Sequence, residues 1–325
     1  MPRPTYDSLP LRSGDPPCSA WGLYGTDDQL GTLNLLSPEV VAEAAKEIRT
    51  GARVGLNLPV GYLVEPTHGR LGLKHTVLPS KGAIAIHDDV IELNTQCSTQ
   101  WDGLRHVGYR KSGLFYNGAT KDQISGANTT PILGIHSWCE KGIAGRGILL
   151  DYLRWSQEQN QKYDVLKGHA ITVEELQACA KAQNIVPREG DILFVRTGFK
   201  VGYAALSKEE KTEWARNSPT LWTGIETSEK TARWLWDTGF AACAGDQPGW
   251  EAFPIWTTPD VGGLGELSLH EVMLGGWGMP IGEFFDLEQL SEECAKQGRY
   301  SFFVTSMPLN ILGGVGTPPN ALAIF

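Results

Sequence analysis

The 325-residue chain has no Cys-x-x-Cys pair, no run of basic residues and no hydrophobic stretch long enough to span a bilayer. Each absence removes a class of protein. The six cysteines, Cys18, Cys97, Cys139, Cys179, Cys243 and Cys294, stand singly, so neither a zinc knuckle nor a disulfide framework is implied. Most are expected to act as small buried hydrophobes. Asp and Glu (37) outnumber Lys and Arg (28), for a formal charge of -9, which argues against nucleic acid or an anionic membrane surface as a partner. The opening Met1-Pro2-Arg3-Pro4-Thr5-Tyr6-Asp7 lacks the apolar core of a signal peptide, so the expected compartment is cytoplasmic. No internal repeat or low-complexity segment interrupts the chain.

Aliphatic and aromatic residues make up 41% of the sequence, enough to bury a full core. Residues 1–35 are rich in Pro and Gly and read as an arm lying over a neighbouring surface, with Trp21 and Tyr24 as anchors. Residues 36–325 read as a single domain. Ser37-Pro38-Glu39 marks a helix start, with a cap, a proline at the first helical position and an acid in the first turn; it should end by Gly51. Val54–Leu58 and Ala83–Ile86 read as strands. Capping boxes at Thr172–Glu175 and Ser207–Glu210 open two further helices. Another is expected from Thr223 to about Asp237 with Gly239 as its stop, one begins at Ser268-Leu269-His270-Glu271, and the last covers Asp286 to Gln297. Strands are expected at Ile148–Leu150, Asp191–Val195 and Phe240–Ala244. This alternation predicts an α/β sheet with helices packed on it. The Gly- and Asn-rich segment from Gly108 to Gly134 reads as a loop covering a substrate.

The densest polar stretch is Gln96-Cys97-Ser98-Thr99-Gln100-Trp101-Asp102-Gly103-Leu104-Arg105-His106, directly after the apolar-alternating Val90–Asn94. Polar groups this concentrated cost stability when buried without partners, so a site is expected. In an extended chain, even spacing would bring Gln96, Gln100 and Asp102 to one face, with His106 beyond the turn that Gly103 permits. His87-Asp88-Asp89 lies at the expected mouth, as a solvated turn or as a substrate contact through His87 or Asp88. Among eleven tryptophans, Trp101, Trp222, Trp250 and Trp256 fall near these positions, and one or two are expected to line a pocket for an apolar or aromatic ligand.

This stretch resembles the His-x-Gly-Thr-His-x-Asp-x-Pro-x-His signature of the cyclase family, metal-dependent hydrolases that include kynurenine formamidases and isatin hydrolases. Thr99, Asp102 and His106 match it. Gln96 and Gln100 stand where the family has its two leading metal-binding histidines, Ser98 replaces the glycine and Leu104 the proline. Gly145-Arg146-Gly147-Ile148-Leu149-Leu150-Asp151 and Gly190-Asp191-Ile192-Leu193-Phe194-Val195-Arg196-Thr197-Gly198 are similar to two further family strands. Ala244-Gly245-Asp246, Leu269-His270, Gly282-Glu283 and Pro308–Gly314 follow in order. The likeness covers roughly residues 80 to 325. It implies a mixed, partly barrel-like central β-sheet flanked by helices, the swivelling β/β/α fold of kynurenine formamidase, and a homodimer.

The resemblance also implies site roles. Asp102, His270 and Glu283 would be the remaining ligands of a divalent metal (Mn, Zn or Mg), and His106 the group that moves protons, with Asp102 orienting it. An amide oxygen is a weaker and harder donor than imidazole, so the chain either binds a hard ion weakly or has no metal. Without the metal, the amides of Gln96 and Gln100 could polarise a carbonyl. Gln96, Gln100, Trp101, Asp246 and His87 are the expected substrate contacts. Plainer roles compete: a turn cap for Asp102, a structural histidine for His106 or His270, a solvated acid for Glu283 and a turn cap for Asp246. The expected activity is hydrolysis of a small, largely apolar amide or lactone. A metal-independent acid-base cyclase, dehydratase or isomerase and a non-catalytic small-ligand binder are the alternatives.

Overall fold

The apolar runs around Ile148, Leu193 and Cys243 lie side by side as parallel strands at the centre of a curled, mixed sheet. The computed structural model describes residues 3–80, 82, 84–254 and 264–325. Strands β1 (Arg53–Gly55), β2 (Lys74–Leu78), β3 (Asp88–Glu92) and β4 (Gln100–Asp102) come first. They are followed by β5 (Ile143–Leu150), β6 (Ala170–Ile171), β7 (Ile192–Val195), β8 (Gly224–Ile225) and β9 (Ala242–Gly245). The last are β10 (Ile281–Glu283), β11 (Ser301–Ser306), β12 (Gly316–Thr317) and β13 (Ala321–Ile324). The main sheet has the order β1-β13-β11-β5-β7-β9-β10-β4-β12, while β2 pairs only with β3 and β6 only with β8.

Strands β5, β7, β9 and β10 are parallel, and β5, β7 and β9 are buried along most of their length. A strand covered on both faces reads as a continuous apolar run, which is why these segments show little alternation in sequence. Beyond β10 the sheet turns antiparallel, and there the register matters for chemistry. Glu283 of β10 lies opposite Gln100 of β4, and Ile281 lies opposite Asp102. Gly316 of β12 is opposite Asp102 on the other side.

The helices begin where their caps predict. Thr172 and Ser207 close capping boxes on Val173–Ala182 and Lys208–Arg216, and Ser37 accepts from the Val40 amide at the start of Pro38–Ala44. The helix expected from Thr223 starts later, at Glu229 with Ser228 as its cap, and ends at Gly239 with φ 83°. Gly224-Ile225 is instead β8, held in parallel register with Ala170-Ile171. A Cβ on Gly224 would come within 2.5 Å of the backbone of Glu251 and Ala252, so that approach needs the glycine. The segment that starts at Ser268 is a π-helix, Glu271–Trp277.

The arm before residue 36 lies on this chain's own body: the Trp21 indole donates to the Gly275 carbonyl, the Trp277 indole to that of Cys18 and the Tyr109 hydroxyl to that of Pro17, each at 2.8 Å. The segment after Gly108 is also anchored to the body, with Tyr109 and Tyr116 buried. The Arg105 guanidinium donates to the carbonyls of Thr130 and Ile132 at 2.7 and 2.8 Å. Of the strand expected at Ala83–Ile86, Ala83 lies outside the described residues and Ile84–Ile86 form no strand. Among the described residues no helix is long and apolar enough to cross a membrane. All six cysteines are free.

Candidate functional site

Strand alternation turns Gln100 and Asp102 to one face of β4 and Trp101 to the other. On the polar face, Asp102 is wholly buried, and among the described residues neither of its oxygens has a well-aligned hydrogen bond. The His270 Nε2 atom stands 3.4 Å from Asp102 Oδ2 and 3.1 Å from Glu283 Oε1. The His270 Nδ1 atom is 2.5 Å from Glu251 Oε2, and the His270 amide donates to Glu251 Oε1 at 3.3 Å. Three carboxylates therefore converge on one imidazole. His106 lies on the near side, its Nε2 3.9 Å from Asp102 Oδ2.

The amides complete the floor. Gln100 Nε2 donates to Glu283 Oε2 at 2.7 Å and to Gln96 Oε1 at 2.9 Å. The Trp250 backbone amide donates to Glu283 Oε1 at 3.1 Å. Gln100 Oε1 and Gln96 Nε2 are buried without partners. Gln96 lies in the turn before β4, so it meets Gln100 through that turn and not along a continuous strand.

Electrostatics divides these groups. Burial pushes Asp102 upward, but His106 and then His270 outweigh it and hold the carboxyl below its usual range. Burial and the neighbouring Asp102 charge push Glu283 up to about 7. Two acids beside one imidazolium cannot both be fully satisfied, so their affinities for protons separate. Burial works against a charged His270, but Glu251, Asp102 and Glu283 more than reverse that and raise it well above an ordinary histidine. His106 goes the other way: burial, opposed by Asp102, lowers it.

The cluster opens on a cavity of about 200 Å³ lined by His106, His270, Glu283, Arg70, Trp222 and Phe253, with His68 and Arg110 at its edge. A larger groove, about 960 Å³, opens between residues 14–17 and 264–267. It includes none of Asp102, His106, His270 or Glu283, so the smaller cavity is the one joined to the chemistry.

A sequence model of the Cyclase family, described as "Putative cyclase", matches residues 33–252. This chain belongs to the Cyclase family. A crystal structure described as a novel cyclase is 30% identical, covers 94% of this chain and 99% of its own, and superposes with a TM-score of 0.82. Isatin hydrolase A from Ralstonia solanacearum is 16% identical over 88% of this chain and 95% of its own, with a TM-score of 0.56. Isatin hydrolase A from Labrenzia aggregata, bound to benzyl benzoate, is 14% identical over 90% and 98%, with a TM-score of 0.54. At those two identities the likeness is one of fold. No curated protein matches the chain.

The residues of this cyclase-family chain fit a divalent ion. Asp102, His270 and Glu283 each present one donor atom, all within 4.8 Å of one another. The 3.1 and 3.4 Å separations from His270 Nε2 are close to the edges of a coordination polyhedron with metal–ligand distances of about 2.1 Å. The wholly buried Asp102 carboxylate supplies negative charge beside the His270 and His106 imidazoles, 3.4 and 3.9 Å away.

Other expected contacts are placed elsewhere. Trp101 is in the core, donating to Ser306 Oγ at 2.9 Å and packing edge-on against Phe285, because the strand's alternation turns it from the polar face. Asp246 is buried, and its carboxylate accepts the amides of Thr197, Gly198 and Phe199 and the Thr197 hydroxyl at 2.6–2.9 Å, so its oxygens are occupied as a cap. His87 is exposed beside β3, in a hairpin whose strands join no other sheet. Trp256 lies outside the described residues. Glu251 and Arg70 are among the residues of the site that carry no sequence expectation. Glu251 follows the apolar strand β9 by six residues, and the end of such a strand is where open sheets place sites. Arg70, isolated in a Pro- and Gly-rich stretch, gives no periodic signal at all.

Proposed function

We propose that this chain is a hydrolase that opens a small, largely apolar amide or lactone at the cluster of Asp102, His270 and Glu283. The observation that carries this reading is the convergence of Asp102, His270 and Glu283, whose ligand atoms lie within 4.8 Å of one another in a buried cluster, a concentration of carboxylate charge that is costly without added cationic charge. Asp102, His270 and Glu283 would hold a divalent ion, with manganese, zinc and magnesium the ions to examine. Such an ion polarises a carbonyl and makes bound water more acidic. His106 faces the same cavity and serves as general acid and base, with Asp102 orienting its ring. Glu251 fixes the His270 ring through Nδ1, leaving Nε2 aimed at Asp102 and Glu283.

A metal-independent acid-base reaction is the second reading, favoured by one contact. Gln100 Nε2 already donates to Glu283, and Gln96 Nε2 has no partner and could polarise a carbonyl. Elemental analysis of the purified protein before and after chelator decides between them, together with hydrolysis of a panel of aryl amides and lactones. About one ion per chain, lost with activity on chelation and in Asp102→Asn, is the expected result. Full turnover in the metal-free protein would sink the metal reading. His106→Ala should lower turnover about 10²-fold or more; near wild-type turnover would remove it from the mechanism. A homodimer completes the reading, supported by the exposed aliphatic side chains on the β2–β3 hairpin.

A further inference from the structure

The aromatic part of the cavity lining has its own chemistry. The Trp222 and Phe253 rings stack at 4.7 Å with 16° between their planes, and His68 meets Trp222 edge-on at 6.2 Å. At about 200 Å³ the space is below the usual range for drug-sized ligands and suits a single ring. Arg70 lines the same cavity.

The neighbouring cations are engaged. Arg110 is held by Glu271, with its amide and Nε each donating to the carboxylate at 2.9 Å. Arg105 is taken up by backbone carbonyls. Arg70 has only a 3.5 Å approach from Nη1 to the Gln96 carbonyl, and no carboxylate among the described residues lies within ion-pair distance of it. A half-buried guanidinium lining a reactive cavity, with its planar fork of donors unfilled, matches a carboxylate in shape and charge. Glu251, Glu283 and Asp102 would repel a carboxylate placed at the other end. Recognition at Arg70 would therefore also set the ligand's direction.

We propose that Arg70 is the specificity-determining residue of this site and binds the carboxylate of a flat, single-ring aromatic ligand whose ring rests on Trp222 and Phe253. This rests on the cavity being the hydrolytic site proposed above. The carboxylate is either carried by the substrate throughout or produced when water opens the amide or lactone.

Calorimetric titration of the full chain with benzoate, benzamide and 4-carbamoylbenzoate tests it, in the wild type, Arg70→Gln and Arg70→Lys. Both acids should bind the wild type, and Arg70→Gln should weaken them about tenfold or more while benzamide changes less than twofold. Arg70→Lys should fall between, having charge without the fork. Tighter binding of 4-carbamoylbenzoate than of benzoate assigns the carboxylate to the substrate, and the reverse order assigns it to the product. Failure of the wild type to bind either acid, or equal losses for benzoate and benzamide, overturns the proposal, the latter showing that Arg70 only screens the acids. Benzamide binding reports an intact pocket; should Arg70→Gln not fold, unchanged benzoate binding in Arg70→Lys overturns it. Repeating the titrations after chelator separates the two readings. Acid binding that vanishes on chelation but survives Arg70→Gln would assign the anion to the metal, rejecting Arg70 and keeping the hydrolase. Arg70-dependent binding in a protein whose turnover ignores chelator would keep Arg70 and reject the metal.

Discussion

Gln100 is the residue on which the chemistry of this site turns. Its amide donates to Glu283 at 2.7 Å, so a neutral side chain now contacts a group that the metal reading makes a ligand. Gln96 supports it at 2.9 Å, leaving one amide nitrogen unpartnered. Replacing both with histidine removes a hydrogen bond to Glu283 and adds two imidazole donors beside Asp102. Gln96→His with Gln100→His should therefore raise zinc affinity, by tenfold or more if both rings reach the ion, read by competition against a chromogenic chelator. Unchanged zinc affinity would mean that these two positions do not face the ion. The same residues show how far the sequence can be read. The spacing of Gln96, Gln100, Asp102 and His106 pointed to a polar convergence, and the structure brings all four together. Glu251 and Arg70 were not legible, because they arrive from distant loops and no local periodicity records which loop crosses which strand.

At the scale of elements, the site depends on how closely β10 lies between β9 and β4. Gly282 stands at the crossing, where a Cβ would come within 2.6 Å of Ala244 Cβ and of the Phe285 ring and 2.8 Å from the Trp101 ring. None of these neighbours can withdraw without moving a strand or a packed aromatic ring. Gly282→Ala should cost about 1–3 kcal/mol or more in unfolding free energy, measured by denaturant titration. It should also disturb Glu283, which is adjacent in the chain; a loss below 0.5 kcal/mol would show that the sheet opens more easily than its packing implies. Helix starts were the most legible elements, since a serine or threonine with an acid three residues on states its own geometry, as at Thr172 and Ser207. The Thr223 start failed because pairing with β6 and the approach of the Glu251 backbone drew Gly224-Ile225 into a strand. Tertiary contacts decided that segment, and no local signal carries them.

For the whole molecule, two forces external to the site can be tested. Asp191 is buried and receives the Arg146 guanidinium at 2.9 Å and the Arg188 amide at 2.7 Å, yet burial pushes it up to about 6. A carboxyl with a folded-state value above its unfolded one binds extra protons when folded. Its contribution is complete below about pH 4 and is lost as pH rises through about 6. The stability difference between wild type and Asp191→Asn should therefore shrink from pH 4 to 6 and stay level above; a gap that widens would mean Arg146 outweighs burial. The second is the proposed association. The β2–β3 hairpin, whose strands pair with no other strand among the described residues, carries Val77, Val90 and Ile91 on its strands and Ile84 and Ile86 in their connection, each 53–64% exposed. Such a two-stranded ribbon is marginal alone in water, and exposed aliphatic side chains on it suit the contact proposed above. A second copy of the chain is the partner that the proposed homodimer requires. Ile86→Asp with Ile91→Asp should shift the sedimentation coefficient from dimer to monomer and leave the thermal unfolding of the main sheet nearly unchanged, because neither side chain packs against it. A wild type that sediments as a monomer at all concentrations would reject the dimer and leave the hairpin free for a different partner.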